Sequence, residues 1–271
     1  AVPEGLTAIT TIVLSLGMQR MANRHVIVRK LSAVETLGST TVIASDKTGT
    51  LTLNEMMVTS VATDGCLFTV EGEGYAPVGN IKLDGELVPL SAYPIVVELA
   101  RVAALCNDAS LREHEGSWTA DGDPMEGALL AFAGKAGVVW SEERKVWAHT
   151  DAIPFDSKHR FMATLHHDHR MHGFIFAKGA PERILSMCEE QRTNSGKAAP
   201  LDEAYWRECA EAIAAQGQRV LAFAAKPMKP QHSVLEFSDV ESGLIMLGLV
   251  GLIDPPRPEA IAAVAACQGA G

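Results

Sequence analysis

Cysteine and basic residues are both scarce in this sequence, and each scarcity argues against a class of protein. The 271 residues include five cysteines, an odd number, widely spread and without a C-x-x-C pair. That argues against a disulfide framework and favours free thiols in a reducing compartment. Lys and Arg total 23 against 33 Asp and Glu, which gives a formal net charge of -10. Such a chain lacks the broad basic face that holds nucleic acid, although a nucleotide needs only two or three local cations.

Long apolar runs are also missing. Residues 1–17 (AVPEGLTAITTIVLSLG) are apolar but contain Glu4 beside Pro3, and they fall short of the roughly 20 residues that span a bilayer. A basic stretch, MQRMANRHVIVRK, follows directly. Two interpretations stay open: the cytoplasmic end of a longer membrane helix, or an amphipathic helix with a basic face. No signal peptide is evident, and both ends look cut, so we expect a piece of a longer protein.

The sequence DKTGTLT at residues 46–52 follows a short β-branched run, TTVIA, at residues 40–44. That run predicts a buried strand. Asp46 would then lie where a strand ends and a loop begins, which is where α/β sheets bind ligands and hold reactive groups. The alternative is a surface turn with an N-capping Asp46.

Residues 58–240 have the pattern of a separate α+β domain. We predict helices at residues 95–106, 126–136 and 203–216, and strands at residues 61–70, 75–83, 161–166, 174–178 and 220–225. Short turns between neighbouring strands predict an antiparallel sheet with helices packed on it. The ten apolar residues 244–253 are too few to cross a bilayer, so they predict a buried strand. We expect this strand to share a sheet with residues 40–44, which makes everything between them an inserted domain.

Ordered landmarks extend along the whole chain. They are PEGL (residues 3–6), VETLGSTTVIASDKTGTLT (34–52), CND (106–108), GDPMEGALL (122–130), PFDS (154–157), KGAPE (178–182), QRVLAFA (218–224) and DPPR (254–257). In this order they resemble the P-type cation-transporting ATPases, most of all the branch of calcium pumps and sodium/potassium pumps. The resemblance implies an α/β fold: an incomplete haloacid-dehalogenase-like (Rossmann-type) phosphorylation domain with an inserted α+β nucleotide-binding domain built on an antiparallel sheet.

The resemblance also implies a division of the chain into five parts. These are the cytoplasmic end of a transmembrane helix (1–17), a stalk helix and connector (18–38), the first part of the phosphorylation domain (39–57), the nucleotide-binding domain (58–240) and the truncated second part of the phosphorylation domain (241–271).

The DKTGTLT loop suits phosphoryl transfer. A carboxylate that attacks the γ-phosphoryl group of ATP gives an aspartyl phosphate, a covalent intermediate that divides one transfer into two steps. The resemblance implies Asp46 as nucleophile, with Lys47 and Thr48 beside it, and Thr50 and Asp254 as support within the phosphorylation domain. It also implies that Asp46 and Thr48 bind Mg²⁺ together with ligands missing from this chain.

Thr48 weighs against the nearest rival. Phosphatases of the haloacid-dehalogenase class place a second Asp, the general acid/base, two residues after the nucleophile, and here that position is Thr48. Without the acid, we expect slow hydrolysis of the phosphoenzyme, as suits a pump that must hold its energised state.

For the nucleotide site, the resemblance implies Phe155 stacked on adenine and Lys178, with Gly179, at the base or phosphates. Glu115, Arg160 and Arg219 are implied to line the same cleft. Calcium pumps usually have Lys where Arg160 falls, and Lys158 lies two residues earlier, so either side chain could reach the nucleotide. Without the motifs, Phe155 would be expected in a core and Lys178 on the surface. Glu126 is expected to stabilise a helix start, with a role at the site as the alternative.

Two further features attract a ligand hypothesis. The run HHDHRMH at residues 166–172 is expected to be a solvated turn, with a zinc site as the alternative. Glu4 beside Pro3 is implied to bind the transported cation, although only in the full pump, and the alternative is the first turn of a helix.

The predicted function is the cytoplasmic ATP-binding and phosphorylation portion of a pump in a membrane, expected to be a bacterial plasma membrane. Such a pump couples ATP hydrolysis, through an aspartyl phosphate, to transport of Ca²⁺ or a related cation. The expected ligands are ATP, Mg²⁺ and the transported cation, with no nucleic acid. The later family motifs TGD and GDGxND are absent, so we expect ATP binding without sustained turnover. The alternatives are a truncated nucleotide-binding module and a haloacid-dehalogenase-type phosphatase.

Overall fold

The computed structural model describes residues 5–270. The helices are α1 (Gly5–Ala22), α2 (Ser32–Gly38), α3 (Pro94–Leu105), α4 (Pro124–Lys135), α5 (Trp140–Val146), α6 (Pro181–Leu185), α7 (Glu203–Ala214), α8 (Phe237–Val240) and α9 (Pro258–Ala270). The strands are β1 (Met57–Thr63), β2 (Cys66–Val70), β3 (Ile81–Leu83), β4 (Glu86–Leu87), β5 (Ser110–His114), β6 (Ser117–Asp121), β7 (Ala148–Asp156), β8 (Phe161–His167), β9 (Gly173–Gly179), β10 (Cys188–Arg192), β11 (Ala198–Pro200), β12 (Arg219–Met228) and β13 (Leu244–Ile253).

These elements form two compact units. The first contains the described residues up to Leu51 and from Pro258 onward, and the second spans Thr52–Arg257. Helices α1, α2 and α9 belong to the first unit. All thirteen strands belong to the second, together with α3 to α8.

An 11-stranded sheet forms the centre of the second unit. Nine strands follow the order β4-β3-β2-β1-β13-β12-β9-β8-β7, and every neighbouring pair among them is antiparallel. Strand β10 pairs in parallel with the first part of β13 and carries β11 on its other edge. Strands β5 and β6 form a separate hairpin. The predicted antiparallel sheet with packed helices is therefore confirmed.

Two apolar cores cover the opposite faces of this sheet. Val61 and Ala62 are consecutive in β1 but belong to different cores, because successive side chains of a strand point to opposite faces. On one face, α3 and α4 supply fully buried residues such as Leu99 and Phe132. On the other face, α7 supplies Trp206 and Ile213. The sheet is thus the middle layer of three.

The structure differs from the prediction for residues 244–253. They form the expected buried strand, but β13 lies in the middle of the second unit's sheet, where Val250 pairs with Val61 of β1 and Leu221 of β12. The second unit consequently extends to Arg257, beyond the expected end at residue 240.

Residues 40–46 form no strand, which also corrects the prediction. Val42 and Ile43 are 78% and 71% exposed. A strand needs a neighbouring strand for its backbone N–H and C=O groups, and none of the described strands pairs with this segment. The haloacid-dehalogenase-like fold of the phosphorylation domain therefore stays a prediction.

No helix within residues 5–270 is long and apolar enough to cross a membrane. Glu4, the predicted cation ligand, lies outside the described residues.

Candidate functional site

A cavity of about 420 Å³ opens in the second unit beside the start of α4. This volume falls within the range of small-molecule sites. Five of the six predicted nucleotide-binding residues line it: Phe155, Arg160, Lys178, Gly179 and Arg219. The other lining residues are Asp108, Asp123, Met125, Glu126, Leu129, Met162, Ala180, Val220 and Leu221. The fold therefore brings together side chains that are more than 60 residues apart in the sequence.

A buried ion pair lies in the wall of the cavity. Lys178 of β9 donates from Nζ to Oε1 of Glu126 at 2.5 Å, and the two side chains are only 9% and 13% exposed. The other carboxylate oxygen of Glu126 accepts the backbone N–H of Asp108 at 3.0 Å. Two charges this far from water are tolerated because each has its partner. The pair thus presents a fixed donor and a fixed acceptor to whatever enters.

The start of α4 explains why Glu126 faces Lys178. Asp123 is the N-cap residue, and its Oδ1 accepts the backbone N–H groups of Met125 at 2.8 Å and Glu126 at 3.4 Å. Pro124 occupies the first turn, where its missing N–H has no consequence. Since Asp123 caps the helix, the Glu126 side chain makes its bonds to Lys178 and Asp108 instead. Glu126 does lie in the first turn of α4, as the sequence predicted, but the side chain that caps the helix is that of Asp123.

Phe155 lines the cavity from β7 and is 60% exposed. Large aromatic side chains bury 150–250 Å² when they are packed, so an exposed one beside a cavity offers a face for a flat ligand. The structure thus excludes the alternative that Phe155 is a core residue.

Arg160, rather than Lys158, lines the cavity. Its backbone is left-handed, with φ of 60°, at the end of the β7–β8 turn. Its Nη1 donates to Oε1 of Glu182 at 2.5 Å. The Lys158 backbone N–H instead donates to the Asp156 carboxylate at 2.7 Å within the turn. The structure thereby favours Arg160 as the cation at this position.

Gly179 is required by the close approach of β9 to Arg160. A Cβ at Gly179 would lie 2.5 Å from the carbonyl oxygen of Arg160 and 2.8 Å from Cα of Phe161. The following N–H, that of Ala180, donates to the same Arg160 carbonyl at 3.0 Å. A glycine here therefore fixes the backbone position of Arg160 beside the cavity.

Glu115 is the predicted residue that does not line the cavity. It lies in the turn between β5 and β6, is exposed, and has a left-handed φ of 52°. Its predicted nucleotide contact stays a prediction.

The DKTGTLT segment belongs mostly to the first unit. Asp46, Lys47, Thr48 and Thr50 are all exposed. Thr48 is extended (φ -77°, ψ 124°), and Gly49 has a φ of 76° that favours glycine. The loop is therefore a tight turn that presents polar side chains to solvent.

Asp254, predicted to support the phosphorylation domain, lies where the chain leaves the second unit. Thr52 donates from its hydroxyl to Oδ2 of Asp254 at 2.5 Å, and Nε of Arg257 donates to the carbonyl of Thr52 at 3.0 Å. The N–H of Leu53 donates to the carbonyl of Pro255 at 3.0 Å. The entering and leaving segments of the second unit are thus tied together, and we call them the neck (residues 52–53 and 254–257).

The histidine run is only partly a solvated turn. His169 and His172 are exposed, and His172 pairs with Asp168 at 2.9 Å. His166 and His167 instead belong to β8 and are only 2% and 7% exposed, which corrects the prediction for these two. Burial lowers the pKa of His166 to about 4. Among the residues that the structure describes, no group of three or more His, Cys, Asp or Glu could hold a metal ion.

Sequence reasoning missed the apolar walls of the cavity. Met125 and Leu129 are one helical turn apart on α4, and Met162 and Leu221 come from β8 and β12. The spacing of four residues between Met125 and Leu129 was the available signal. That spacing did not show that Met125 and Leu129 face a cavity, because the other apolar wall residues, Met162 and Leu221, are brought near them only by the sheet.

Comparison with known proteins agrees with this architecture. A family model described as P-type ATPase, cytoplasmic domain N, matches residues 96–259. The chain is 46% identical over 283 aligned residues to the cation-transporting ATPase pma1 of Synechocystis, covering 100% of this chain and 30% of that protein. It is 38% identical over 274 residues to a calcium-transporting ATPase of Bacillus subtilis, covering 100% and 31%. Against the calcium-transporting ATPase type 2C member 1 of Bos taurus it is 38% identical over 265 residues, covering 95% and 26%.

The chain therefore spans about a third or less of the length of these relatives. The family model covers the neck segment 254–257, most of α3 and every residue that lines the cavity. By this match, the chain belongs to the P-type cation-transporting ATPases and includes their cytoplasmic domain N.

Proposed function

We propose that the second unit binds ATP in the cavity, with adenine against Phe155 and the triphosphate toward Arg160 and Arg219. The observation that carries this proposal is the composition of the cavity: an exposed aromatic ring, two exposed arginines and a buried Lys178–Glu126 pair in one wall. An aromatic face with a few cations suits a purine triphosphate.

The Lys178–Glu126 pair supports binding of the base more than binding of phosphate. Glu126 already neutralises the charge of Lys178, so the pair adds little net attraction for an anion. It does offer both a cationic N–H donor and carboxylate acceptors. Adenine has an amino donor and ring-nitrogen acceptors, which can satisfy both.

Titration of ATP against the purified chain by calorimetry tests the site. We expect Phe155→Ala to raise the Kd about tenfold, in the range that base stacking on an aromatic side chain contributes. Phe237→Ala is the matched control, because Phe237 is also an exposed aromatic residue (46%) but packs on His159 and does not line the cavity. Equal losses in both variants would remove Phe155 from the site.

We further propose that Asp46 accepts the γ-phosphoryl group. A carboxylate oxygen of Asp46 forms a bond to the γ-phosphorus, the bond from that phosphorus to the β–γ bridging oxygen breaks, and ADP leaves with the electron pair. The exposure of Asp46 supports access to a nucleotide. Thr48, in place of the second aspartate of phosphatases, leaves no general acid/base two residues after the nucleophile.

Asp46 and Thr48 supply oxygen atoms of the kind that Mg²⁺ prefers. Bound there, Mg²⁺ would neutralise charge on the phosphates. Because the family motifs TGD and GDGxND do not occur in these 271 residues, we propose that the chain by itself binds ATP without sustained turnover.

Asp46→Asn separates binding from transfer. With labelled ATP, an acid-stable phosphoprotein should form on a full-length pump that contains this chain and should be lost in Asp46→Asn, while ATP affinity is unchanged. Labelling that survives this substitution would assign the phosphoryl group elsewhere. Sustained ATPase activity of the 271-residue chain, abolished by Asp46→Asn, would contradict the proposed lack of turnover.

For the whole protein, we propose ATP-driven transport of a cation across a membrane, Ca²⁺ or a related cation. The names of the relatives support this, since those from Bacillus subtilis and Bos taurus are calcium-transporting ATPases. Uptake of ⁴⁵Ca²⁺ into vesicles that contain the full-length protein tests it, with Asp46→Asn vesicles as the control. ATP-dependent uptake of another cation but not Ca²⁺ would reassign the ion.

A further inference from the structure

We propose that Glu182 competes with the phosphate groups of the nucleotide for Arg160, and so sets the affinity of the cavity for polyphosphates. This inference rests on the proposed ATP site. It adds a residue outside the cavity lining that controls one of the cations inside it.

The contact that carries the proposal joins Arg160 and Glu182. Nη1 of Arg160 and Oε1 of Glu182 are 2.5 Å apart, and the side chains are 54% and 50% exposed. Arg160 lines the cavity, whereas Glu182 lies outside it, in the first turn of α6. A ligand phosphate that reaches Arg160 from the cavity must therefore compete with Glu182 for the same guanidinium.

The backbone around this pair is fixed, so exchange of partners requires only side-chain rotation. The carbonyl oxygen of Arg160 accepts the N–H of Ala180, and the chain at Gly179 packs directly against it. Both Arg160 and the start of α6 are thus held by the same short β9–α6 connection. Exposed arginine side chains rotate freely on that support.

Glu182 has no other cation within reach of a hydrogen bond or ion pair among the described residues. The neighbouring Arg183 is directed elsewhere: its guanidinium lies 5.3 Å from the centre of the Phe161 ring, and its Nη1 donates to Ser186. The alternative explanation for Glu182 is that an acidic residue in the first turn of a helix stabilises that helix. That role does not require a contact with a cavity residue.

The charge of the ligand decides whether it can replace Glu182 as the partner of Arg160. Asp108, Asp123 and Glu126 line it together with the cations Arg160, Lys178 and Arg219. A nucleoside has no charge with which to displace Glu182, whereas a triphosphate has several. Because the pair is half exposed, its contribution is modest, up to about a fivefold change in affinity.

The test is a double-mutant cycle on ATP affinity with Glu182→Gln, Arg160→Gln and the double variant, measured on the intact chain. We expect Glu182→Gln to lower the Kd for ATP by about three- to fivefold, and to leave the Kd for adenosine unchanged. The gain should disappear in the Arg160→Gln background and shrink at high salt. Glu203→Gln is the matched control, since Arg207 and Glu203 pair at the same 2.5 Å with similar exposure (57% and 50%), and neither lines the cavity.

Three outcomes overturn the inference. They are an unchanged or weaker ATP affinity in Glu182→Gln, the same gain in Glu203→Gln, and a full gain in the Arg160→Gln background, which would show repulsion through space. Glu182→Asp adds a check, because it keeps the charge but shortens the side chain: pairing predicts tighter binding, and repulsion predicts none. If the wild-type chain binds no adenine nucleotide at all, the proposed function itself fails, and this result is distinguishable from all three.

Discussion

The cavity of the second unit and the DKTGTLT loop of the first differ in how the fold holds their charged groups. At the cavity, Lys178 and Glu126 are buried and bound to each other, and the backbone of Asp108 completes the set. In the loop, Asp46 and Lys47 are exposed. The DKTGTLT motif is the most specific segment of the sequence, yet the buried and paired charged side chains are those of the cavity. A motif is recognisable in a sequence because its reaction needs particular residues, whereas a side chain is held in place in the structure because it is buried and paired.

Lys178→Ala should show the largest difference between the two regions. It would leave the Glu126 carboxylate buried without its cation, and breaking a buried pair in this way costs about 3 kcal/mol or more. Urea unfolding followed by tryptophan fluorescence measures this, because all four tryptophans lie within the second unit. Lys47→Ala, which removes an exposed lysine from the loop, should change stability by less than about 0.5 kcal/mol. Far-UV circular dichroism, which follows the secondary structure of both units, should show the same difference between the two substitutions. An equal loss of stability in Lys178→Ala and Lys47→Ala would refute the comparison.

The pH dependence of stability should also differ between buried and exposed histidines. His166 is 2% exposed, and burial lowers its pKa from 6.5 to about 4 in the folded state. Between these values the unfolded chain takes up a proton that the folded chain does not, so stability falls as the pH drops from about 6.5 to about 4. The loss reaches about 3 kcal/mol at most.

Replacing His166 with Gln should flatten that part of the curve, as measured by thermal unfolding between pH 7 and pH 4. The control is His25→Asn in the first unit, where the histidine is exposed and its left-handed φ of 62° suits Asn. An unchanged slope in His166→Gln would mean that other groups account for the acid sensitivity.

Two glycines, one in each unit, allow the two regions to be compared by the effect of an added methyl group instead of a removed charge. A Cβ at Gly179 would lie 2.5 Å from a backbone oxygen, so Gly179→Ala must shift β9 or Arg160 and should cost about 2 kcal/mol. Gly38, in the first unit, has nothing within 4 Å of such a Cβ, and Gly38→Ala should be nearly neutral. We also expect weaker ATP binding in Gly179→Ala alone. Denaturation midpoints that fall equally for both variants would show that β9 has room to move.

Local pattern predicted the three longest helices of the second unit and several of its strands. It was wrong for residues 75–80, which form no strand, and it merged β1 and β2 into one strand at residues 61–70. The spacing of apolar residues gave helices at residues 95–106, 126–136 and 203–216, and the structure has α3, α4 and α7 there. Helix α7 buries Trp206 and Ile213, which are seven residues apart and so lie on one face, and there periodicity and packing agree. Helix α4 instead buries every residue from Gly127 to Ala133. The short turns between neighbouring strands predicted the antiparallel sheet, because strands joined by a short turn run in opposite directions.

Long-range pairing was not predictable in this way. Residues 244–253 are apolar throughout, which indicates a buried strand but not its neighbours. Its position between β1 and β12 depends on contacts with residues almost 200 positions earlier. Residues 40–44 have β-branched side chains, yet strand propensity without a pairing partner does not make a strand. The family motifs assigned six residues to one nucleotide cleft; five of them line one cavity in the structure, and Glu115 does not.

The neck offers the smallest expected effect and the sharpest boundary between the two regions. Thr52 donates to Oδ2 of Asp254, whose other oxygen, Oδ1, is buried and has no hydrogen-bond partner among the described residues. Thr52→Val keeps the shape of the side chain but removes the donor from the carboxylate, which should cost about 1 kcal/mol. Thr50→Val, two residues earlier in the exposed loop, should cost less than half of that. Tryptophan-detected urea unfolding distinguishes them. If Thr50→Val proved as costly as Thr52→Val, the packed region would have to begin before the neck, inside the DKTGTLT loop itself.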